Sequence, residues 1–268
     1  MDKYCFGVDL GGTTVKIGLF SIEGQLQDKW EIPTRTENHG AEILSDIAAS
    51  IQSRMDTGHL SKEQVTGIGI GVPGPVLNEN IVQGCVNLGW GNVRVADELS
   101  ALTGLKVKAA NDANVAALGE QWQGGGKGFQ NLVMFTLGTG VGGGIIQNGR
   151  IISGANGAAG EIGHMVIVDA DEVVGTCGCG HRGCLEQVAS ATGIVNLTEK
   201  KLAECSQDSV LREISPLTAK DVLDAAKAGD ALAEQAAENM MKHLGRAAAY
   251  IACVVNPDIF VIGGGVSK

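Results

Sequence analysis

Aromatic residues are scarce in this chain. Tryptophan, tyrosine and phenylalanine together make up 4% of its 268 residues, although the hydrophobic share reaches 44%. Small aliphatic side chains therefore dominate the apolar content. Charged residues are also few, at 19%. Few charges and many aliphatics exclude an intrinsically disordered chain. Positive charge is in short supply: 20 Lys and Arg stand against 30 Asp and Glu, for a net charge of -10. That balance disfavours a general nucleic-acid or anionic-membrane surface, so neither is expected as a partner. No run of about 18 uncharged apolar residues is present, so no transmembrane helix is expected. The opening Met-Asp-Lys-Tyr-Cys-Phe lacks a basic segment followed by an apolar one, so no signal peptide is expected and the cytoplasm is the default. Small anionic ligands stay open, because backbone N–H groups bind phosphate without any lysine.

Glycine is what the chain has in excess. There are 40, about twice the usual share of roughly 7%. They follow no three-residue period, which excludes collagen. Turns that approach something closely fit better. Seven cysteines are present, four of them scattered. Cys177, Cys179 and Cys184 fall within eight positions. In a cytosolic chain such a cluster reads as metal ligation before disulfide bonding.

The pattern along the chain is α/β. Strands are expected at Tyr4–Asp9, Val15–Ser21 and Gln25–Ile32, with the turn Leu10-Gly11-Gly12-Thr13-Thr14 between the first two. Ile43, Ile47 and Ile51 put a helix over Ala41–Met55. A buried strand at Gly67–Val72, a helix at Val95–Leu102, a strand at Val107–Ala110 and a helix at Ala113–Trp122 follow. The opening theme then recurs: a strand at Leu132–Leu137, a glycine turn over Gly138–Gly144, a strand at Ile145–Gln147 and a hairpin at Asn148-Gly149. The length and this duplication suggest two lobes, 1–110 and 111–268. Beyond Gly193 glycine thins out. A long helix is expected over Leu232–Val255, with Leu232, Ala236, Met240, Leu244, Ala247, Ile251 and Val254 on one face. Asn256-Pro257 stops it, and a strand at Ile259–Ile262 ends at Gly263-Gly264-Gly265.

Four constellations carry chemistry. In Asp9-Leu10-Gly11-Gly12-Thr13-Thr14-Val15-Lys16, two glycines let backbone N–H groups approach a phosphate and the threonine hydroxyls add donors. Asp9 can hold a divalent cation, directly or through water. The turn feeds a strand, so it is neither a Walker A loop nor a dinucleotide fingerprint. A bare glycine hairpin explains it equally well until the second turn, Gly138-Thr139-Gly140 through Gly142, is set beside it. Two such turns in duplicated halves favour a nucleotide, with Gly263, Gly264 and Gly265 as a third close approach. The third constellation, Asn111-Asp112-Ala113-Asn114, lies at a strand–helix junction, where open α/β sheets bind ligands. A helix cap explains such an Asp too. Phosphoryl transfer to an alcohol needs an acceptor for the hydroxyl proton, normally a carboxylate, and Asp112 supplies one. The fourth is Cys177-x-Cys179-x4-Cys184 with a histidine upstream. Three thiolates and one imidazole make a closed, structural zinc set. His164 is the better fourth ligand and His181 the runner-up.

Taken in order, Asp9–Lys16, Gly71–Val76, Asn87–Trp90, Asn111–Asn114 with Leu118–Glu120, Leu137–Gly144, Gly157–His164, Cys177–Glu186 and Gly263–Gly265 resemble the ROK family of repressors, open reading frames and sugar kinases. The resemblance spans nearly the whole chain, and its cysteine segment is specific to that family. It implies two ribonuclease-H-like lobes of the actin/hexokinase superfamily, closing over a sugar, with a zinc-binding loop. It implies MgATP-dependent phosphorylation of a hexose 6-hydroxyl, most simply of glucose, and a homodimer. Fructose, allose and N-acetylmannosamine kinases share these motifs. Asp112 then corresponds to the general base. Gly74, Asn87, Asn111, Glu161, His164 and Glu186 correspond to sugar contacts, and His164, Cys177, Cys179 and Cys184 to zinc ligands. The turns at 11–14 and 138–142 correspond to the phosphate sites for ATP and Mg2+. Eight residues precede Asp9, where family repressors carry a helix-turn-helix, so an enzyme is expected before a repressor or a non-catalytic sugar sensor. The family normally continues past the Gly263 turn with a further helix, so a chain truncated at its C-terminus is expected.

Overall fold

The structure, a computed structural model, describes residues 3–267. Its contacts divide the chain into two compact units, one of residues 1–116 with 153–159 and the other of 117–152 with 160–268.

In the first unit, β1 (Tyr4–Leu10), β2 (Thr14–Ser21) and β3 (Leu26–Pro33) form an antiparallel meander that sets Asp9 opposite Lys16. A short turn of helix, α1 (Glu37–Gly40), precedes α2 (Ile43–Thr57). β4 (Val65–Val72) returns parallel to β1. β5 (Val76–Leu77), β6 (Ile81–Cys85) and β7 (Trp90–Arg94) make a separate antiparallel sheet. After α3 (Val95–Thr103), β8 (Val107–Asn111) joins β4 in parallel and completes the order β3-β2-β1-β4-β8. α4 (Asp112–Gln123) follows at once.

Period-two alternation explains the strands. Phe6, Val8 and Leu10 are buried, as are Val15, Ile17 and Leu19 opposite them. On α2, Ile43, Ile47, Ile51 and Met55 recur at four-residue spacing and all enter the same core. Trp30 meets Phe6 edge-on at 6.2 Å, and its indole N–H donates to Ser50 Oγ at 2.8 Å. With Trp90, the two rings supply aromatic bulk to a core built mostly from aliphatics.

The second unit repeats the scheme. β9 (Leu132–Leu137), β10 (Val141–Gln147) and β11 (Arg150–Ile151) are antiparallel. Asn148 and Gly149 both have positive φ, 51° and 71°, as a type I′ hairpin requires. α5 (Glu186–Ala189), α6 (Ala191–Glu204), α7 (Ala219–Lys227) and α8 (Ala231–Val255) lead to β12 (Ile259–Gly263), which lies parallel to β9. The order β11-β10-β9-β12 reproduces β3-β2-β1-β4, so the expected duplication of architecture is present.

Two details depart from expectation. The glycine turn is shorter than Gly138–Gly144. β10 starts at Val141, and Gly142, Gly143 and Gly144 pair with Thr136, Phe135 and Met134. The glycines there serve close packing: a Cβ on Gly143 would stand 2.2 Å from Ile162 Cγ1 and 2.8 Å from the Gly160 carbonyl oxygen. On α8, Leu232, Met240, Leu244, Ala247 and Ile251 are buried as the periodicity demands, but Val254 is 81% exposed. The buried stripe steps four residues from Ile251, to Val255, and bypasses Val254.

Candidate functional site

In the first unit, the end of β1 and the end of β8 carry the candidate polar groups. Asp9 is exposed on the last stretch of β1. The turn after it is held by backbone: Gly11 N–H donates to Thr14 O at 3.1 Å, and Thr34 N–H donates to Thr13 O at 2.9 Å. Thr34 Oγ1 also donates to Gly11 O at 2.7 Å, so the residue just past β3 braces the turn. Gly12 and Thr13 are left exposed. Asn87 lies beside Gly12, its Cβ 3.9 Å from where a Cβ on Gly12 would be. Thr14 and Lys16 belong to β2, and Lys16 is exposed.

At the end of β8, Asn111 Nδ2 donates to Gly74 O at 3.3 Å, and Asn111 Oδ1 accepts from Asn114 N–H at 3.1 Å. The second bond caps the first turn of α4. Gly74 has φ of +92°, a conformation that leaves glycine as the natural occupant. Asp112 Oδ1 accepts from Ala113 N–H at 2.8 Å. The carboxylate keeps a face to solvent, yet protein atoms crowd it on its other sides. That partial dehydration raises its pKa above 3.8, and the negative charge of Asp9 raises it further, against the hydrogen bonds of Ala113 and Asn111. Among the described residues, no lysine or arginine pairs with Asp112 in a salt bridge. A carboxylate of raised basicity, accessible and unpaired with a cation, is equipped to accept a proton.

In the second unit, the glycine turn proper is Gly138–Gly140, closed by a bond from Gly138 N–H to Gly140 O at 3.0 Å. Gly142 lies in β10, outside the turn. Gly264 packs on the strand end that feeds the turn: with φ of +98°, a Cβ on it would come 2.3 Å from Leu137 O. Gly263 pairs with Thr136 inside the sheet, and a Cβ on Gly265 would meet nothing within 4 Å, so of the three only Gly264 packs on the strand end before the turn. Glu186 reaches the turn's far side, where its Oε2 accepts from Val141 N–H at 3.0 Å. A cleft of about 360 Å³ opens here, walled by Thr139, Gly140, Cys177, Glu186, Thr192 and Asn196. A second cavity of about 390 Å³, between α6 and α8, holds none of the predicted site residues.

The ligand atoms of His164, Cys177, Cys179 and Cys184 all lie within 4.8 Å of one another. Cys179 Sγ and Cys184 Sγ are 3.6 Å apart, and Cys177 Sγ is 3.4 Å from His164 Nδ1. These spacings far exceed a disulfide bond of about 2.05 Å. They approach the edge of about 3.8 Å expected of a tetrahedron with zinc–sulfur bonds of about 2.3 Å. The donor set thus fits a four-coordinate zinc ion. His181 Nδ1 sits 3.5 Å from Cys179 Sγ and stands outside the group of four. The thiols are unequal. Burial pushes Cys177 up and Cys184 up to about 12. The backbone N–H and the side chain of His181 bring Cys179 down to about 6. The opposite ring nitrogen of His164, Nε2, faces Glu161 Oε2 at 3.9 Å. The imidazole therefore presents one nitrogen to the thiols and the other to a carboxylate.

Two bracing residues were not foreseen. Thr34 gives no signal of its own, because its partner is 23 positions away. Gln187 clamps the cysteine loop at both ends. Its Oε1 accepts from Gly183 N–H at 2.9 Å and its Nε2 donates to Val174 O at 3.2 Å. Its place next to Glu186 was the one available cue.

The structure matches a ROK hexokinase from Thermus thermophilus with a TM-score of 0.81 at 27% identity, over 100% of this chain and 83% of that one. The fold is thus the hexokinase-like α/β class. The chain belongs to the ROK family, whose model matches residues 5–268. It is 44% identical over 271 residues to a glucokinase of Halalkalibacterium halodurans, covering 100% of this chain and 82% of the relative. It is also similar to a ROK family glucokinase from Streptomyces griseus solved with glucose and AMPPNP. That likeness has a TM-score of 0.75 and 31% identity, over 98% of this chain and 84% of that one. No helix among the described residues is long and apolar enough to cross a membrane.

Proposed function

We propose that this chain is an ATP-dependent glucokinase that transfers the γ-phosphate of ATP to the 6-hydroxyl of glucose. Asp112 carries the reading. It is an accessible carboxylate of raised basicity at the end of β8, in a chain 44% identical to a glucokinase. The 6-hydroxyl oxygen attacks the γ-phosphorus, the bond to the β-phosphate oxygen breaks, ADP leaves, and the hydroxyl proton passes to Asp112. Asn111, Asn87, Gly74, Glu161, His164 and Glu186 are the candidate contacts for the sugar hydroxyls. These residues supply the mixed donors and acceptors that a sugar requires. The N–H groups and hydroxyls of Gly11–Thr14 and Gly138–Gly140 receive phosphate oxygens, with Asp9 and Lys16 beside the first turn and Gly263–Gly265 beside the second. Mg2+ on the ATP phosphates supplies charge neutralisation.

His164, Cys177, Cys179 and Cys184 would hold zinc with no open position, which makes it a structural ion. Holding the loop also holds Glu186, two residues past Cys184. The ribonuclease-H-like strand order, repeated in both units, supports placement in the actin/hexokinase superfamily. A cytoplasmic homodimer completes the proposal.

A coupled ADP-release assay over glucose, mannose, fructose, N-acetylglucosamine and N-acetylmannosamine tests it. Glucose should give the highest kcat/KM. A higher value for an N-acetylated sugar would move the assignment to that substrate, and no ADP release with any sugar would leave a sugar-binding sensor.

A further inference from the structure

Glu186 is doing something in this structure that a sugar contact does not require. Its Oε2 accepts from Val141 N–H at 3.0 Å, at the exit of the Gly138–Gly140 turn. The same oxygen lies so close to the turn that a Cβ on Gly140 would stand 2.2 Å from it. Its other oxygen is 3.7 Å from Cys177 Sγ. Exposed N–H groups in a glycine turn are an anion site. The carboxylate holds the Val141 N–H just past this turn and lies against Gly140 within it.

This matters because of what the turn is for. Under the function proposed above, on which this inference rests, the turn receives a phosphate of the nucleotide. A phosphate on the turn and a carboxylate against Gly140 are two negative groups side by side, and they repel. The same function gives Glu186 a second task, holding a sugar hydroxyl. A carboxylate drawn onto a sugar releases the turn. We propose that Glu186 is an internal gate on nucleotide binding. Without sugar its carboxylate occupies the Val141 N–H and places negative charge where phosphate must land. With sugar the carboxylate leaves, and the turn is rid of that charge.

Gly140 fits the gate. Any side chain there would collide with the carboxylate in its parked position. The short range also fits, since Glu186 opens α5 and the turn's Gly138 O accepts from Ala191 N–H at 2.8 Å, so the segment just past α5 is fastened to the turn. Only the side chain of Glu186 has to move.

The gate makes the two ligands cooperative, and linkage makes the effect mutual. Calorimetric titration of the full chain with the Mg2+ complex of AMPPNP, with and without saturating glucose, tests it. In the unmutated chain glucose should tighten the nucleotide Kd about tenfold, within the usual span of such couplings. Glu186→Gln keeps the shape and removes the charge. Without glucose it should bind AMPPNP nearly as tightly as the unmutated chain does with glucose. Equal nucleotide affinity with and without glucose in the unmutated chain overturns the gate, and that arm needs no variant to fold. Glu186→Gln binding no more tightly than the unmutated chain in the absence of sugar overturns it as well, and leaves Glu186 a plain brace. The ADP-release assay separates the two levels: glucose phosphorylation without this coupling refutes the gate alone, whereas no phosphorylation refutes the kinase reading beneath it.

Discussion

The two glycine turns occupy the same place in a repeated topology, between the first and second strands of each sheet, yet they are held by different means. The first is braced by neutral groups: its own backbone and the hydroxyl of Thr34 on the connection after β3. The second is braced by a carboxylate, Glu186, and abuts the cysteine and histidine cluster. The first sheet gains a fifth strand, β8, whose end delivers Asn111 and Asp112. The second sheet has four strands and delivers glycines instead. One copy of the motif carries a carboxylate of raised basicity and the other a loop of three cysteines beside a histidine. Duplicated backbones diverge most where side chains leave the sheet, which is where chemistry is done.

The sharpest break in this comparison comes at Asp112. Asp112→Asn should lower kcat for glucose phosphorylation by about 10²–10⁴-fold, the range of a general base, while glucose still binds. The same carboxylate sets a pH dependence. Its pKa is raised above 3.8, so kcat/KM should fall as pH drops, with an acid midpoint above the ordinary carboxylate value. Stability runs the other way. A raised folded-state pKa means that ionising Asp112 disfavours the fold. Stability present below the unfolded pKa is lost as pH rises through the folded one. Asp112→Asn at pH 7 should therefore leave Tm unchanged or higher. A lower Tm would assign Asp112 a structural role.

Next in size is the metal loop. Cys184→Ser should reduce zinc to well below one ion per chain by mass-spectrometric metal assay. It should also lower Tm by about 10 °C, from a loss of roughly 3–4 kcal/mol at 2–4 °C per kcal/mol. Hydrogen exchange should quicken across residues 160–190 and stay slow in β1 and β4. An active, fully protected protein without zinc would refute the metal assignment.

A smaller contrast separates the two sheets themselves. Gly143→Ala in β10 forces a Cβ to within 2.2 Å of Ile162 and 2.8 Å of the Gly160 carbonyl, and should cost about 2–3 kcal/mol. Gly69→Ala in β4 meets nothing within 4 Å and should be neutral or stabilising by up to about 1 kcal/mol. Urea denaturation measures both, and equal effects would remove the packing explanation for the glycines of β10.

Much of this molecule could be read from its residues because local pattern and tertiary outcome agree. Alternation in β1 and β2, four-residue spacing on α2 and α8, and the Asn148-Gly149 hairpin are each dictated within a few positions of chain. The approach of His164 to three cysteines was legible because thiolate and imidazole have few other uses in such spacing. What escaped depends on partners far away. Gly142–Gly144 look like a turn by composition, and it is their pairing with β9, with Ile162 packed on Gly143, that makes them a strand. β5, β6 and β7 are too short and too broken by Gly84 and Asn87 to announce themselves. Val254 missed the core by one step of a helix whose buried stripe favoured Val255. Thr34 and Gln187 act on backbone atoms, and backbone leaves no mark in a sequence.

The glycines of β10 have a consequence for the order in which the chain acquires structure. A strand reading Val-Gly-Gly-Gly-Ile-Ile-Gln has little preference for extended backbone, and each glycine gives up about 0.5–1 kcal/mol more on ordering than alanine would. Such a strand cannot organise its neighbours and must be organised by them. β9, with six consecutive β-formers and apolar residues, and the Ile162 segment have to be in place before β10 gains anything by straightening. Ile145→Val and Ile146→Val should accordingly show φ-values near zero, whereas Val133→Ala should show a high one. The close approach that lets backbone meet backbone in the native state makes this strand a late arrival in folding.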